Sequence, residues 1–274
     1  MKLFAAIAKK EALEVARDIG YKHILVSYFY IKKRRMLDLI KEMNPKHEFF
    51  LDSGAHSANT IGAKITKEEL TAFTKEHRSL FTIYAGLDDI KNHTVTLSNQ
   101  KAMEAAGLAP LITFHYGEPV SVLEDYLKNY DFIALGGVVG KTKTEKIAWL
   151  DMLYCKVISK YPQKKIHMFG VHDVEILSRY PFYSADASSD SLMASNGWVL
   201  VNGTKVQYKD ISKKHRTAAG LFEMQKNYDI GISLGDREKD RYRSLLLKKQ
   251  QTEQYITELW KRRGISWKDY KDNY

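Results

Sequence analysis

The chain has 274 residues, 44% hydrophobic and 28% charged, a composition that points to a soluble globular protein and argues against a disordered, fibrous or membrane-spanning one. Its 43 Lys and Arg against 33 Asp and Glu give a net charge of +10, a surplus that favours a polyanionic partner because each cation seated on a phosphate releases condensed counterions. A single cysteine, Cys155, excludes an internal disulfide and any multi-cysteine zinc or iron–sulfur site, and makes a reducing, cytoplasmic compartment the default.

The first apolar run, residues 3–7, is too short for a signal segment or a membrane span, because charge returns at Lys9, Lys10 and Glu11. It reads as a strand followed by a helix up to Gly20. Further apolar runs follow at residues 23–28, 48–52, 80–85, 111–115, 132–135, 166–169 and 182–185, most of them separated by polar, helix-like segments. The helix after the third run is expected to be capped by Thr66, with Glu69 three residues on. Cys155 falls in a helical stretch and reads as a small buried apolar group rather than a nucleophile.

Eight near-continuous apolar strands alternating with helices predict an α/β fold, a (β/α)8 barrel of the TIM type, with a doubly wound open sheet as the alternative. The barrel is expected to occupy residues 1–200. After Asp186 an extra hairpin is expected over 197–208, and residues 201–274 form a basic helical extension packed on the barrel, with helices near 212–229 and 236–263. Basic residues concentrate there, and Lys213, Lys214, Arg216, Arg241 and Arg243 are the candidates for phosphate contacts.

A barrel of this type carries its chemistry at the carboxyl ends of its strands. Those ends read Ser27, Asp52 with Ser53, Asp88 with Asp89, His115, Gly136 with Gly137, Val171 with His172, and Asp186. Carboxylates end three of the eight strands, which suits either oxygen ligands for a hard metal or acid/base and nucleophilic work at a sugar carbon. A His-x-His metal motif after the first strand is absent, since that strand ends Ile7-Ala8-Lys9.

The third strand end, Leu51-Asp52-Ser53-Gly54-Ala55-His56-Ser57, resembles the Asp-Ser-Gly signature of tRNA-guanine transglycosylases, and more closely the Asp-Ser-Gly-Ala form of phage-type 7-deazaguanine DNA transglycosylases. Gly136-Gly137-Val138-Val139-Gly140, the turn Phe169-Gly170-Val171-His172-Asp173, and Tyr183-Ser184-Ala185-Asp186 resemble further segments of that family in the same order, over roughly residues 1–200. Tyr84-Ala85-Gly86-Leu87-Asp88-Asp89 matches the base-recognising segment only loosely, with Asp88 favoured over Asp89. His115 stands where the tRNA enzymes carry Gln, and one cysteine cannot build their Cys3His zinc module.

The resemblance implies exchange of guanine in DNA for a free 7-deazaguanine base, without cofactor or metal, on a single-stranded or flipped-out nucleotide. The expected nucleophile is Asp186 and the acid/base group Asp52; Ser53, Asp88, His115, Gly136 and Gly137 would hold the base. The competing expectations are the same reaction on tRNA, a non-catalytic nucleic-acid-binding barrel, and an oxygen-ligated metal hydrolase. If the chain is phage-encoded, the compartment is the host cytoplasm.

Overall fold

Eight strands in the computed structural model, which describes residues 1–34, 36–201, 204–209 and 237–267, run parallel in one curled sheet. They are β1 (Lys2–Ile7), β2 (His23–Ser27), β3 (Glu48–Asp52), β4 (Ile83–Tyr84), β5 (Ile112–His115), β6 (Phe132–Gly136), β7 (Lys165–Met168) and β8 (Ser184–Ala187). Their order across the sheet is β4-β3-β2-β1-β8-β7-β6-β5, so β1 and β8 pair in the middle. The outer strands meet at a parallel bridge between Ala85 and Leu111, where the Leu111 amide donates to the Tyr84 carbonyl at 2.8 Å and the Gly86 amide to the Leu111 carbonyl at 3.0 Å.

Between the strands lie α1 (Lys10–Asp18), α2 (Tyr28–Arg34), α3 (Leu37–Met43), α4 (Ala55–Thr60), α5 (Lys67–His77), α6 (His93–Ala105), α7 (Val120–Asn129), α8 (Lys143–Lys156) and α9 (Val174–Arg179). The alternation is that of a (β/α)8-like fold. Caps mark several starts: the Thr66 hydroxyl accepts from the Glu69 amide, Thr142 and Glu145 form a reciprocal capping box, and Asp173 accepts from the amides of Glu175 and Ile176.

Parity along each strand sorts the side chains. Phe49 and Leu51 of β3 pack under the helices, whereas Phe50 joins Phe4, Leu25, Ile83, Phe132 and Ala134 in a separate cluster inside the curl of the sheet. Ile166 and Met168 of β7 likewise pack outward, which turns His167 inward. Successive residues of a strand face opposite sides, so the residue two beyond each inner side chain points inward too, nearer the carboxyl end. Asp52, two beyond Phe50, and Asp186, two beyond the buried Ser184, follow from that rule.

After β8 come α10 (Ser189–Ser195), an antiparallel hairpin of β9 (Trp198–Val201) and β10 (Thr204–Gln207), and finally α11 (Arg237–Arg262). The hairpin lies where the sequence expects it. Helix α11 packs against α1, α9, α10, β1 and β9 and contributes Tyr242, Leu245 and Leu246 to one outer core and Ile256 and Trp260 to the other. It therefore occupies the slot between the first and last helices of the alternation. Polar contacts fix it there: Trp260 Nε1 donates to the Leu177 carbonyl at 2.9 Å, and Glu253 Oε2 accepts from the Leu3 amide and lies 2.8 Å from His23 Nδ1. The expected helix near 212–229 lies outside the described residues. Among the described residues no helix is long and apolar enough to cross a membrane.

Three local expectations change. The fourth strand is only Ile83–Tyr84, because Leu80 closes a 3-10 turn and the chain pairs no further than the bridge at Ala85. Tyr28 starts α2 instead of ending β2. Cys155 is exposed, not buried: α8 buries Trp149, Leu150 and Leu153, and two residues past Leu153 is about 200° around the helix.

Candidate active site at the carboxyl ends of the strands

Asp52 and His115 are the last residues of β3 and β5, Gly136 is the last of β6, and Asp88 lies in the loop after β4. Asp186 was expected just past the eighth strand. It lies within β8, pairing with Phe4 of β1, because the ladder continues through Ala187. The rigid sheet, not a loop, thus carries this carboxylate.

Ser53, Asp88, His115 and Glu118 form a chain. Ser53 Oγ donates to Asp88 Oδ1 at 2.9 Å, and Asp88 Oδ2 lies 2.9 Å from His115 Nε2. On the other side of the ring, His115 Nδ1 is 3.3 Å from Glu118 Oε1, and the His115 amide donates to Glu118 Oε2 at 3.0 Å. Burial opposes charge on the His115 ring, yet the bonds to Asp88 and Glu118 outweigh it and raise its pKa to about 9. Burial likewise pushes the Asp88 carboxyl up, but its bonds to His115 and Ser53 hold it below the usual carboxylate range. The pair is therefore an imidazolium beside a carboxylate at neutral pH.

Asp52 is tuned the other way. Enclosure by protein, then the charges of Asp88 and Asp186, raise its pKa from 3.8 to about 7, against smaller opposing pulls from the Gly54 amide and Ser27. The Gly54 amide donates to Oδ2 at 3.0 Å, whereas the Ser27 hydroxyl approaches without closing a hydrogen bond of normal geometry. Part of the residue's surface stays open although the carboxyl is closely surrounded. Asp186 is buried, 6% exposed, and its Oδ1 accepts from the Gly170 amide at 3.1 Å and lies 3.4 Å from His167 Nε2. One carboxyl poised to exchange a proton near neutrality thus neighbours another held by a backbone amide, with an imidazole nitrogen close by that closes no hydrogen bond of normal geometry.

Gly54 carries φ +79, and a Cβ there would lie 2.8 Å from Ser27 Oγ and 2.9 Å from the Phe29 amide nitrogen. The loop holding Asp52 and Ser53 is pressed onto the start of α2, and only glycine fits. Gly54→Ala is expected to destabilise the protein by about 1–3 kcal/mol, through left-handed backbone strain and the clash. Chemical denaturation measures this; a variant as stable as the parent would show that the loop yields freely. Gly137, φ +73, is excluded from holding a Cβ in the same way by the Tyr116 amide nitrogen at 2.9 Å and His115 Cβ at 3.1 Å. The space beside the glycine pair is taken by the β5 end, which it lets approach closely.

Of the two candidate aspartates after β4, Asp88 joins the cluster, while Asp89 accepts from the Lys91 amide in a turn. His172 lies beside Ser189, 3.1 Å away, and His56 is exposed. Arg241 and Arg243 are half-buried on α11, and Lys213, Lys214 and Arg216 lie outside the described residues. Sequence reading missed Glu118, His167 and Phe169. The signal for His167 was available: a polar residue at inward parity within an apolar strand. Phe169, half-buried, packs over the His167 and Phe50 rings at centroid distances of 4.4 and 5.7 Å. Glu118 carried no signal short of the turn geometry.

A cavity of about 570 Å³ lined by His47, Arg78, Phe81 and Tyr84 lies at the opposite end of the strands, remote from the carboxylates. Among the described residues no group of three or more His, Cys, Asp or Glu is arranged to hold a metal ion. The chain matches no known protein family, and comparison with curated proteins yields no match.

Proposed function

We propose that the protein is a transglycosylase that exchanges guanine in DNA for a 7-deazaguanine base through a glycosyl-aspartate intermediate. The observation that carries this reading is the pairing of Asp52, with a pKa of about 7, and the donor-held Asp186 at the carboxyl ends of β3 and β8. Retention at a nucleoside C1′ takes two displacements. Asp186 forms a bond to C1′ as the C1′–N9 bond breaks, and the departing guanine takes the proton of Asp52. The incoming base then gives its N9 proton to Asp52, its nitrogen bonds to C1′, and the electrons of the C1′–O bond return to Asp186. A carboxyl titrating near neutrality serves both halves.

Asp88, kept ionised by His115 and Ser53, would use the remaining lone pairs of its two oxygens to accept hydrogen bonds from the purine N1–H and exocyclic amine. Phe169 offers a ring at the same mouth. The target base must leave a duplex stack to reach these groups. DNA is favoured over tRNA because one cysteine cannot build the zinc module of the tRNA enzymes.

Incorporation of labelled guanine into DNA, with tRNA bearing a guanine wobble base as the comparison, tests the reading. Exchange into DNA is expected, and exclusive turnover of tRNA would move the assignment to the tRNA branch. The pH dependence is a second check. The first half-reaction needs Asp52 protonated, so kcat/KM for DNA should fall about tenfold per pH unit above about 7; the second needs it ionised, so kcat/KM for the free base should rise towards about 7 and level off. Identical profiles for the two substrates would remove Asp52 from the shared role.

A further inference from the structure

We infer that His167 is the positioning residue of Asp186, holding Oδ1 so that Oδ2 is the oxygen that bonds to the sugar; this rests on the reading of Asp186 as nucleophile. His167 is fully buried, ringed by Phe4, Phe50 and Phe169. Its Nδ1 lies 2.8 Å from the hydroxyl of Ser184, itself fully buried and two residues before Asp186 on β8. Among the described residues that ring nitrogen is the hydroxyl's one hydrogen-bond partner, so the hydroxyl donates and Nδ1 accepts. The ring proton then sits on Nε2, 3.4 Å from Asp186 Oδ1. The other tautomer would set a lone pair against the carboxylate and leave a hydroxyl hydrogen stranded among aromatic rings.

Burial holds the ring below its ordinary pKa despite the pull of Asp186, so His167 is a neutral donor that leaves the carboxylate its charge. The Gly170 amide donates to Oδ1, and His167 Nε2 faces the same oxygen at 3.4 Å without closing a hydrogen bond of normal geometry; among the described residues no donor is found on Oδ2. Attack therefore runs through Oδ2: its lone pair forms the O–C1′ bond as the C1′–N9 pair departs with the base. In the intermediate Oδ1 is the ester carbonyl oxygen. The Gly170 amide on Oδ1, and the His167 N–H whose 3.4 Å contact has room to tighten into a hydrogen bond as that charge returns, stabilise the carboxylate as it leaves in the second displacement.

Three variants test this. His167→Phe keeps a ring among rings but removes the donor, and kcat should fall about 100-fold while KM for DNA stays within about threefold. His167→Gln restores an N–H near the same place and should recover kcat to within about tenfold of the parent. Ser184→Ala should cost about tenfold alone and nothing further on top of His167→Phe, because it acts only through the ring. Full kcat in His167→Phe, or full additivity of the pair, would overturn the role. Nitrogen-15 spectra of histidine-labelled parent protein read the tautomer directly, whether or not a variant folds and whatever the substrate. Protonation at Nδ1 would sink the inference by itself. Absence of exchange by the parent protein, with Nε2 protonated, would instead overturn the transglycosylase reading and the sugar attack built on it, leaving the His167–Asp186 contact established.

Discussion

Asp186→Ala should reduce base exchange by on the order of 10⁴- to 10⁶-fold, the scale seen when a covalent nucleophile is removed, while DNA affinity changes little. The carboxylate is buried, held by the Gly170 amide and lies beside His167, so it makes the bond to C1′ without serving as a phosphate contact. The parent protein should yield a denaturation-resistant protein–DNA adduct when quenched before the second base arrives, and the alanine variant none. Asp186→Asn keeps the acceptor for Gly170 and should be equally inactive, which separates loss of the nucleophile from loss of local packing. Equal adduct yield from either variant would remove Asp186 from its role.

Asp52→Asn should slow exchange by about 100- to 10,000-fold, the usual contribution of general acid/base catalysis. Its effect on stability should have the opposite sign. The folded pKa of about 7 lies above the ordinary 3.8, so between those values the folded protein binds a proton that the unfolded chain does not. Stability from this group is present below about 4 and is lost as pH rises through about 7. An amide never ionises, so above pH 8 the variant should be more stable than the parent by about 2 kcal/mol, half the full value of about 1.4 kcal/mol per pKa unit because the residue keeps contact with solvent. At pH 4 the advantage should vanish. Denaturation at the two pH values measures it, and a variant less stable at both would mean that burial does not penalise the Asp52 charge. The expected variant, stabilised but slow, would show the trade between function and stability at one residue.

The alternation of strands and helices was legible because helix-covered parallel strands are apolar on both faces, so residues 48–52 and 132–135 stand out as runs without any partner being known. Ends were less legible. Residues 80–85 are as apolar as the other runs, but Leu80 is taken up in a 3-10 turn and only Ile83 and Tyr84 are in ladder pairing. Asp186 read as a residue following its strand because a charge ends an apolar run, whereas pairing with β1 carries the strand one residue past it. Asp52 and His115 were found from the strand-end rule. Their raised pKa values were not, since these depend on which charges converge across strands far apart in sequence. Cys155 was misplaced because most residues near it are apolar, while the covered face of the helix is that of Trp149, Leu150 and Leu153.

Helix α11 bears on how the chain reaches its native state. The first strand donates its Leu3 amide to Glu253, and the Met1 carbonyl accepts from the Thr257 hydroxyl, contacts separated by 250 and 256 positions. Loops this long close slowly, so the seam between α1 and α9 stays open until the polypeptide has been synthesised almost to residue 262. During that interval the apolar flanks that Tyr242, Leu246, Ile256 and Trp260 later cover face water. A ribosome-bound chain halted at residue 236 should therefore be protease-sensitive throughout β1 and α1, and resistance there would show that the sheet closes without its last helix. In this fold the first strand waits for a helix some 250 positions further along the chain.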